Sequence, residues 1–212
     1  MLGVIYLKYD SIGFDLDGTL WSPVEAITKA WQETAKIFNV RLPSRNDIAN
    51  VLGLNKIDLM NKLYPEIDFE TQMKFFEKAT EICDEVIAAQ GGTLFEGLDE
   101  TLKILQKNFS LYIVSNCQDG YIERFLSFHK LGSYFCDSEH PDERCLSKGE
   151  NLKALLNRNG FKNTIFVGDT QGDCDAARFA EVPFVYASYG FGKAVNPDYT
   201  ISSFPEILDI VM

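Results

Sequence analysis

The chain has 212 residues, 46% of them hydrophobic, and carries 31 acidic against 20 basic residues for a net charge of −11. That length buries a core without staples, in one domain or a core with a modest insertion. The acidic surplus argues against nucleic acid and anionic membrane as partners, because their phosphates need clustered Lys and Arg. An anionic small substrate would need local positive charge or a bound cation at its site.

In chain order, the first nine residues are apolar. They are too short to span a membrane and lack the basic start and small-residue cleavage site of a signal peptide, so they are candidates for an extra edge strand. Ile12-Gly13-Phe14 is a short buried strand. Asp15-Leu16-Asp17-Gly18-Thr19 follows it, and Gly18-Thr19 ends the strand in a turn that lets both acids converge. Val24, Ile27, Trp31, Ala35 and Phe38 recur at three- and four-residue steps, which is an amphipathic helix started by Pro23. Further helical pieces run over 47–52, stopped by Gly53, and over 57–64, stopped by Pro65. A long helix covers 69–90 and ends at Gly91-Gly92. Residues 21–92 therefore read as helices without a strand.

The pattern then alternates. Helices are expected at 98–106, 121–128, 149–157, 173–180 and 205–211. Strands are expected at 111–114, 134–136, 164–167 and 183–186. Strands alternating with helices make a parallel sheet covered on both faces. The predicted fold is thus a doubly wound α/β core, residues 1–20 and 95–212, interrupted by an all-helical cap, residues 21–94. An insertion this close to Asp15 and Asp17 suits a lid.

Three strands end in polar groups: Asp15 and Asp17, then Ser115-Asn116, then Gly168-Asp169 with Asp173 four residues on. Parallel strands place their carboxyl ends on one edge, where open α/β sheets bind ligands. Several converging carboxylates repel, and a hard divalent cation, Mg²⁺ above all, relieves this. Asp169 and Asp173 also suit a helix N-terminus, whose dipole favours acids. Ser147 and Glu150 form a capping box, so a helix starts at Lys148. A cation in that turn opposes the macrodipole by roughly 0.3–1 kcal/mol, and a nearby carboxylate and phosphate would explain it. The cysteines Cys83, Cys117, Cys136, Cys145 and Cys174 show no paired spacing, which indicates reduced thiols and a cytoplasmic setting. Cys136 and Cys145 with His140 fit no common zinc pattern.

These residues, in this order, resemble the haloacid-dehalogenase-like hydrolases, specifically the phosphatase branch with a helical cap. The four motifs are Asp15-Leu16-Asp17-Gly18-Thr19, Ser115-Asn116, Lys148 and Gly168-Asp169-Thr170-Gln171-Gly172-Asp173. The resemblance implies that Asp15 is the nucleophile, forming an aspartyl phosphate. It implies that Asp17 is general acid for the leaving oxygen and then base for water. Mg²⁺ is implied at the carboxylates of Asp15 and Asp169, the carbonyl of Asp17, and Asp173 directly or through water. Ser115, the backbone near Asn116 and Lys148, with Gly18 and Thr19, would hold the phosphoryl group. An acid at position 17 favours phosphate esters, since halide leaves without a proton.

Gly53-Leu54-Asn55-Lys56 and the segment from Val182 to Gly192 look like phosphoglycolate phosphatases. Lys56 is then a candidate contact for a substrate carboxylate or second phosphate. Ser22 stands where many relatives have an acid, and Glu96 where proline is common; both departures bear on the substrate. The implied activity is a phosphatase for a small phosphorylated metabolite such as phosphoglycolate, acting as monomer or homodimer. The alternatives are a phosphotransferase of the β-phosphoglucomutase type and a non-catalytic binding protein on the same fold.

Overall fold

The computed structural model describes residues 8–141 and 146–212. Residues 1–7, most of the candidate edge strand, and Cys145 lie outside them. Among the described residues six strands form one sheet: β1 (Ser11–Phe14), β4 (Ser110–Val114), β5 (Phe135–Glu139), β6 (Thr164–Gly168), β7 (Phe184–Ala187) and β8 (Tyr199–Ile201). Their spatial order is β5-β4-β1-β6-β7-β8, and every pairing is parallel. The order reverses around β1, so the crevice at its carboxyl end is the topological switch point.

Alternate residues of the sheet feed different layers, as the two-residue strand period demands. Ile12, Phe14, Leu111, Ile113, Ile165 and Val167 pack with α5 (Leu98–Leu105), α6 (Tyr121–His129) and α9 (Ile207–Val211). Tyr112, Val114, Phe166 and Phe184 pack instead with α7 (Lys148–Asn159) and α8 (Gln171–Phe179). The sheet is thus covered on both faces, as the alternating strands and helices predict.

Between β1 and α5 the chain builds α1 (Val24–Phe38), α2 (Arg45–Ala49), α3 (Lys56–Leu63) and α4 (Phe69–Gln90). Their core is aromatic. The Trp31 and Phe75 rings lie 5.3 Å apart and those of Tyr64 and Phe75 4.8 Å apart, with all three buried. The N-termini of α2, α3 and α4 are capped by Ser44, Asn55 and Asp68, each accepting from main-chain N–H groups. No helix among the described residues is long and apolar enough to cross a membrane.

Several expectations need correction. Residues 21–92 are not free of strand: β2 (Trp21–Ser22) pairs antiparallel with β3 (Thr93–Leu94), forming the ribbon through which the helices leave and return. Two-residue strands carry no periodicity to read. The short helix lies at Arg45–Ala49 because the Ser44–Asp47 capping box starts it. Likewise α8 begins at Gln171 rather than Asp173, because Thr170 and Asp173 form the capping box and Asp173 is the third helical residue. Strand β5 runs on to Glu139, behind a 3₁₀ turn at Gly132–Tyr134.

Candidate active site

Asp15 leaves β1 with its N–H donated to the Val167 carbonyl, 2.8 Å away, which ties the site to the neighbouring strand β6. The backbone then folds tightly: the N–H groups of Thr19, Leu20 and Trp21 all approach the Leu16 carbonyl. Gly18 makes this loop possible. Its φ is +90°, and a Cβ there would stand 2.4 Å from Asp169 Oδ2. The turn read from Gly18-Thr19 is therefore also a close approach of backbone to a carboxylate.

Asp15, Asp169 and Asp173 offer oxygens within 4.8 Å of one another, all buried. Lys148, the first residue of α7, reaches Asp15 and lies 2.5 Å from Asp173 Oδ1. Only 8% of Lys148, 6% of Asp15 and 2% of Asp173 is exposed, so this is a buried charge cluster. Burial alone would lower the Lys148 pKa. The Asp15 and Asp173 carboxylates outweigh it, and the ammonium is held above its ordinary range. Burial pushes Asp15 upward, and the charges of Asp173 and Asp169 add to this against the pull of Lys148.

Asp169 is fully buried. Its Oδ2 accepts from the N–H groups of Phe191 (2.7 Å) and Gly192 (3.2 Å), while its Oδ1 has no partner among the described residues. Its pKa is pushed up to about 7, first by burial and then by Asp173. The glycine-rich segment Tyr189-Gly190-Phe191-Gly192 is thus a clamp on Asp169, which sequence reasoning missed. Tyr189 OH also donates to the Thr19 carbonyl at 2.9 Å, tying the clamp to the first motif. Asp173 sits in the first turn of α8, as the helix N-terminus reading expects, where it forms the capping box with Thr170, and it also pairs with Lys148.

Asp17 points into different surroundings. Trp21 Nε1 donates to its Oδ1 at 2.7 Å, and the Tyr121 hydroxyl lies 3.2 and 3.3 Å from its two oxygens. Burial raises its pKa to about 6, against these two hydrogen bonds. Trp21 is fully buried among Tyr121, Phe125 and His129, so it both packs the core there and orients an acid. Tyr121 was not foreseen. It lies 104 positions from Asp17, and no spacing signal connects them.

A cavity of about 880 Å³ opens over this cluster. Asp15, Asp17, Ser115, Asn116, Lys148 and Asp173 line its floor, and Lys56 its opposite wall. Ser115 is buried, its N–H donated to the Glu139 carbonyl. Thr19 is fully buried, with Oγ1 3.4 Å from Asp15 Oδ2. The Lys56 ammonium sits 5.0 Å from the centre of the Phe76 ring.

The donor set fits a hard divalent cation. Three carboxylates converge, one buried oxygen of Asp169 lacks a partner among the described residues, and every candidate ligand is oxygen, the preference of Mg²⁺. Among the described residues no other cluster of His, Cys, Asp and Glu has this arrangement.

Fold and site together define a doubly wound α/β hydrolase with a helical cap and an acidic pocket at the switch point. The chain belongs to the haloacid dehalogenase-like hydrolase family, whose model matches residues 12–187. It is 26% identical to a phosphoglycolate phosphatase of Vibrio parahaemolyticus, over 94% of this chain and 95% of that one. It is also 26% identical to the pyrophosphatase PpaX of Halalkalibacterium halodurans, over 97% and 98%. A haloacid dehalogenase-like family hydrolase from Streptococcus pneumoniae has the same fold, with TM-score 0.83 and 22% identity over 96% of this chain and 98% of that one.

Proposed function

We propose that this chain is a Mg²⁺-dependent phosphatase that hydrolyses a small organic phosphate monoester in the cytoplasm through an aspartyl phosphate on Asp15. The observation that carries the reading is the buried cluster of Lys148 with Asp15 and Asp173, beside an Asp169 oxygen that no group among the described residues satisfies. A buried cation among several acids is costly as a purely structural device. It is useful where an anionic nucleophile must meet an anionic phosphate.

The division of labour follows from the surroundings of each acid. An Asp15 carboxylate oxygen attacks phosphorus, and the ester oxygen departs with a proton from Asp17. Asp17, raised to about 6 by burial, lies closer to the operating pH than an ordinary carboxylate, which suits both giving and taking that proton. It then takes a proton from water as that water attacks phosphorus, which releases phosphate and regenerates the Asp15 carboxylate. Lys148, Ser115 and the main chain near Asn116 hold the phosphoryl oxygens, with Gly18 and Thr19 shaping the loop beneath. The Asp15, Asp169 and Asp173 carboxylates and the Asp17 carbonyl would hold Mg²⁺, which when bound neutralises charge on nucleophile and phosphate. Residues 21–94 are assigned as the cap and residues 1–20 and 95–212 as the core. In support, the helices enter and leave through the β2–β3 ribbon and wall one side of the cavity. The names of the two relatives support phosphate chemistry, and phosphoglycolate is the first ester they suggest.

The test is phosphate release from a panel of monoesters with Mg²⁺ and again with chelator, including a sugar bisphosphate. Release that chelator abolishes is expected. No release from any ester refutes the reading, and conversion of the bisphosphate into an isomeric sugar phosphate favours the phosphotransferase instead.

A further inference from the structure

The cap side of the cavity is apolar where a glycolate carboxylate or sugar hydroxyls would need polar partners. Ile27 and Trp31 of α1, Ile48 of α2, Leu52 and Leu54 of the following turn and Phe76 of α4 line it. The polar cap groups on the same wall are Asn55, Lys56 and Thr80, and no described lining residue is Arg or His. Asn55 is occupied at home, its Oδ1 accepting from the N–H groups of Ile57 and Asp58 and its Nδ2 donating to Asp58. The Lys56 ammonium faces the Phe76 ring. Lys148, the other lysine of the lining, is committed to Asp15 and Asp173.

Two further observations point to what fills this space. Leu54 and Ile57 line the cavity yet stand 37% and 51% exposed, so apolar surface is left uncovered at the mouth of the site. At about 880 Å³ the cavity lies towards the upper end of the roughly 300–1,000 Å³ that enclose ligands with a substantial body. A leaving group with a carboxylate would lose its hydration against apolar side chains, which is unfavourable without a polar partner.

We infer that the preferred substrate is a phosphate monoester of an uncharged, hydroxyl-poor apolar alcohol larger than glycolate, its hydrocarbon body seated between Ile48, Leu54 and Phe76. This rests on the phosphatase reading and names its substrate class. The phosphoryl group meets Asp15 and Lys148, and the alcohol makes dispersion contacts with the cap. One methylene in such a pocket discriminates by roughly 10- to 200-fold, so a branched five-carbon alcohol gains a large margin over glycolate.

The experiment compares kcat/KM for isopentyl phosphate, ribose 5-phosphate and phosphoglycolate with Mg²⁺. All three are esters of aliphatic alcohols, so the comparison avoids the intrinsic advantage of an aryl leaving group. Acetyl phosphate, whose leaving group asks little of the cap, is the control. The expected result is isopentyl phosphate ahead of each of the others by at least about tenfold. Leu54→Lys, at an exposed position, should lower the ratio of isopentyl phosphate to phosphoglycolate by at least about tenfold, and as a ratio this excludes general loss of activity. Acetyl phosphate turnover with a smaller preference, or with a ratio that Leu54→Lys does not move, overturns this inference alone. No phosphate from any compound, acetyl phosphate included, refutes the phosphatase reading and this inference with it.

Discussion

Replacing Lys148 by Met keeps the length of the stem and removes the charge. The residue is 8% exposed and bridges Asp15 and Asp173, so the substitution leaves two buried carboxylates unpaired beside Asp169. Breaking a buried ion pair by removing one partner costs about 3–5 kcal/mol. A domain of this length loses about 2–4 °C in Tm per kcal/mol, so metal-free protein should melt roughly 6–20 °C lower. Mg²⁺ bound to the folded state alone returns about 2.7 kcal/mol at a hundred times its Kd. That return should be larger in the variant, because in the unsubstituted chain Lys148 already neutralises part of the cluster. The assay is thermal unfolding of both proteins in chelator and across a Mg²⁺ titration. With saturating Mg²⁺ the variant should be folded but slower by roughly 10²–10³-fold, the usual loss for a missing transition-state charge partner. A Tm loss of under about 2 °C in chelator, or a variant that gains no more from Mg²⁺ than the unsubstituted chain, would refute the reasoning.

Three other substitutions test separate parts. Gly18→Ala forces a side chain into a backbone at φ +90° and against Asp169 Oδ2, so Tm should fall and Mg²⁺ affinity with it, as calorimetry would show. Tyr121→Phe removes a donor from Asp17; a hydrogen bond to a charged group is worth about 1.5–3 kcal/mol, so kcat should drop roughly 10- to 100-fold with KM little changed. An unaltered kcat removes Tyr121 from the account. His129 packs edge-on to Trp21 with its Nε2 buried and without a partner among the described residues, and burial lowers its pKa. The unfolded chain therefore binds a proton more readily near pH 6.5. The stability that neutral His129 contributes is full above that pH and is lost as pH falls through its depressed folded value. His129→Phe should flatten this acid-side decline in Tm between pH 7 and pH 5, and an unchanged slope contradicts the assignment.

What the sequence disclosed was local. The apolar strands before Asp15, Ser115 and Asp169, the Ser147–Glu150 capping box and the face of α1 each follow from residues within a few positions of one another. The start of α8 is equally local, since Thr170 and Asp173 are spaced as a capping box. The β2–β3 ribbon and three-residue β8 leave too short a pattern to read. The hydrogen bonds of Tyr121 to Asp17 and of the 191–192 main chain to Asp169 join distant segments, and nothing in one sequence links them. The same holds for the cap wall. Lys56 was legible as a lone cation near a helix start, whereas its apolar setting appears only when α1, α2 and α4 are brought together.

The central claim is that phosphate passes through a covalent bond to Asp15. The direct measurement is to quench turnover of acetyl phosphate or the best monoester in acid, reduce with borohydride, and map the product by peptide mass spectrometry. An acyl phosphate is reduced to an alcohol, so the peptide containing position 15 should carry that loss of oxygen in the unsubstituted protein and not in Asp15→Asn. Steady phosphate release with position 15 unmodified in every quenched sample would contradict the account.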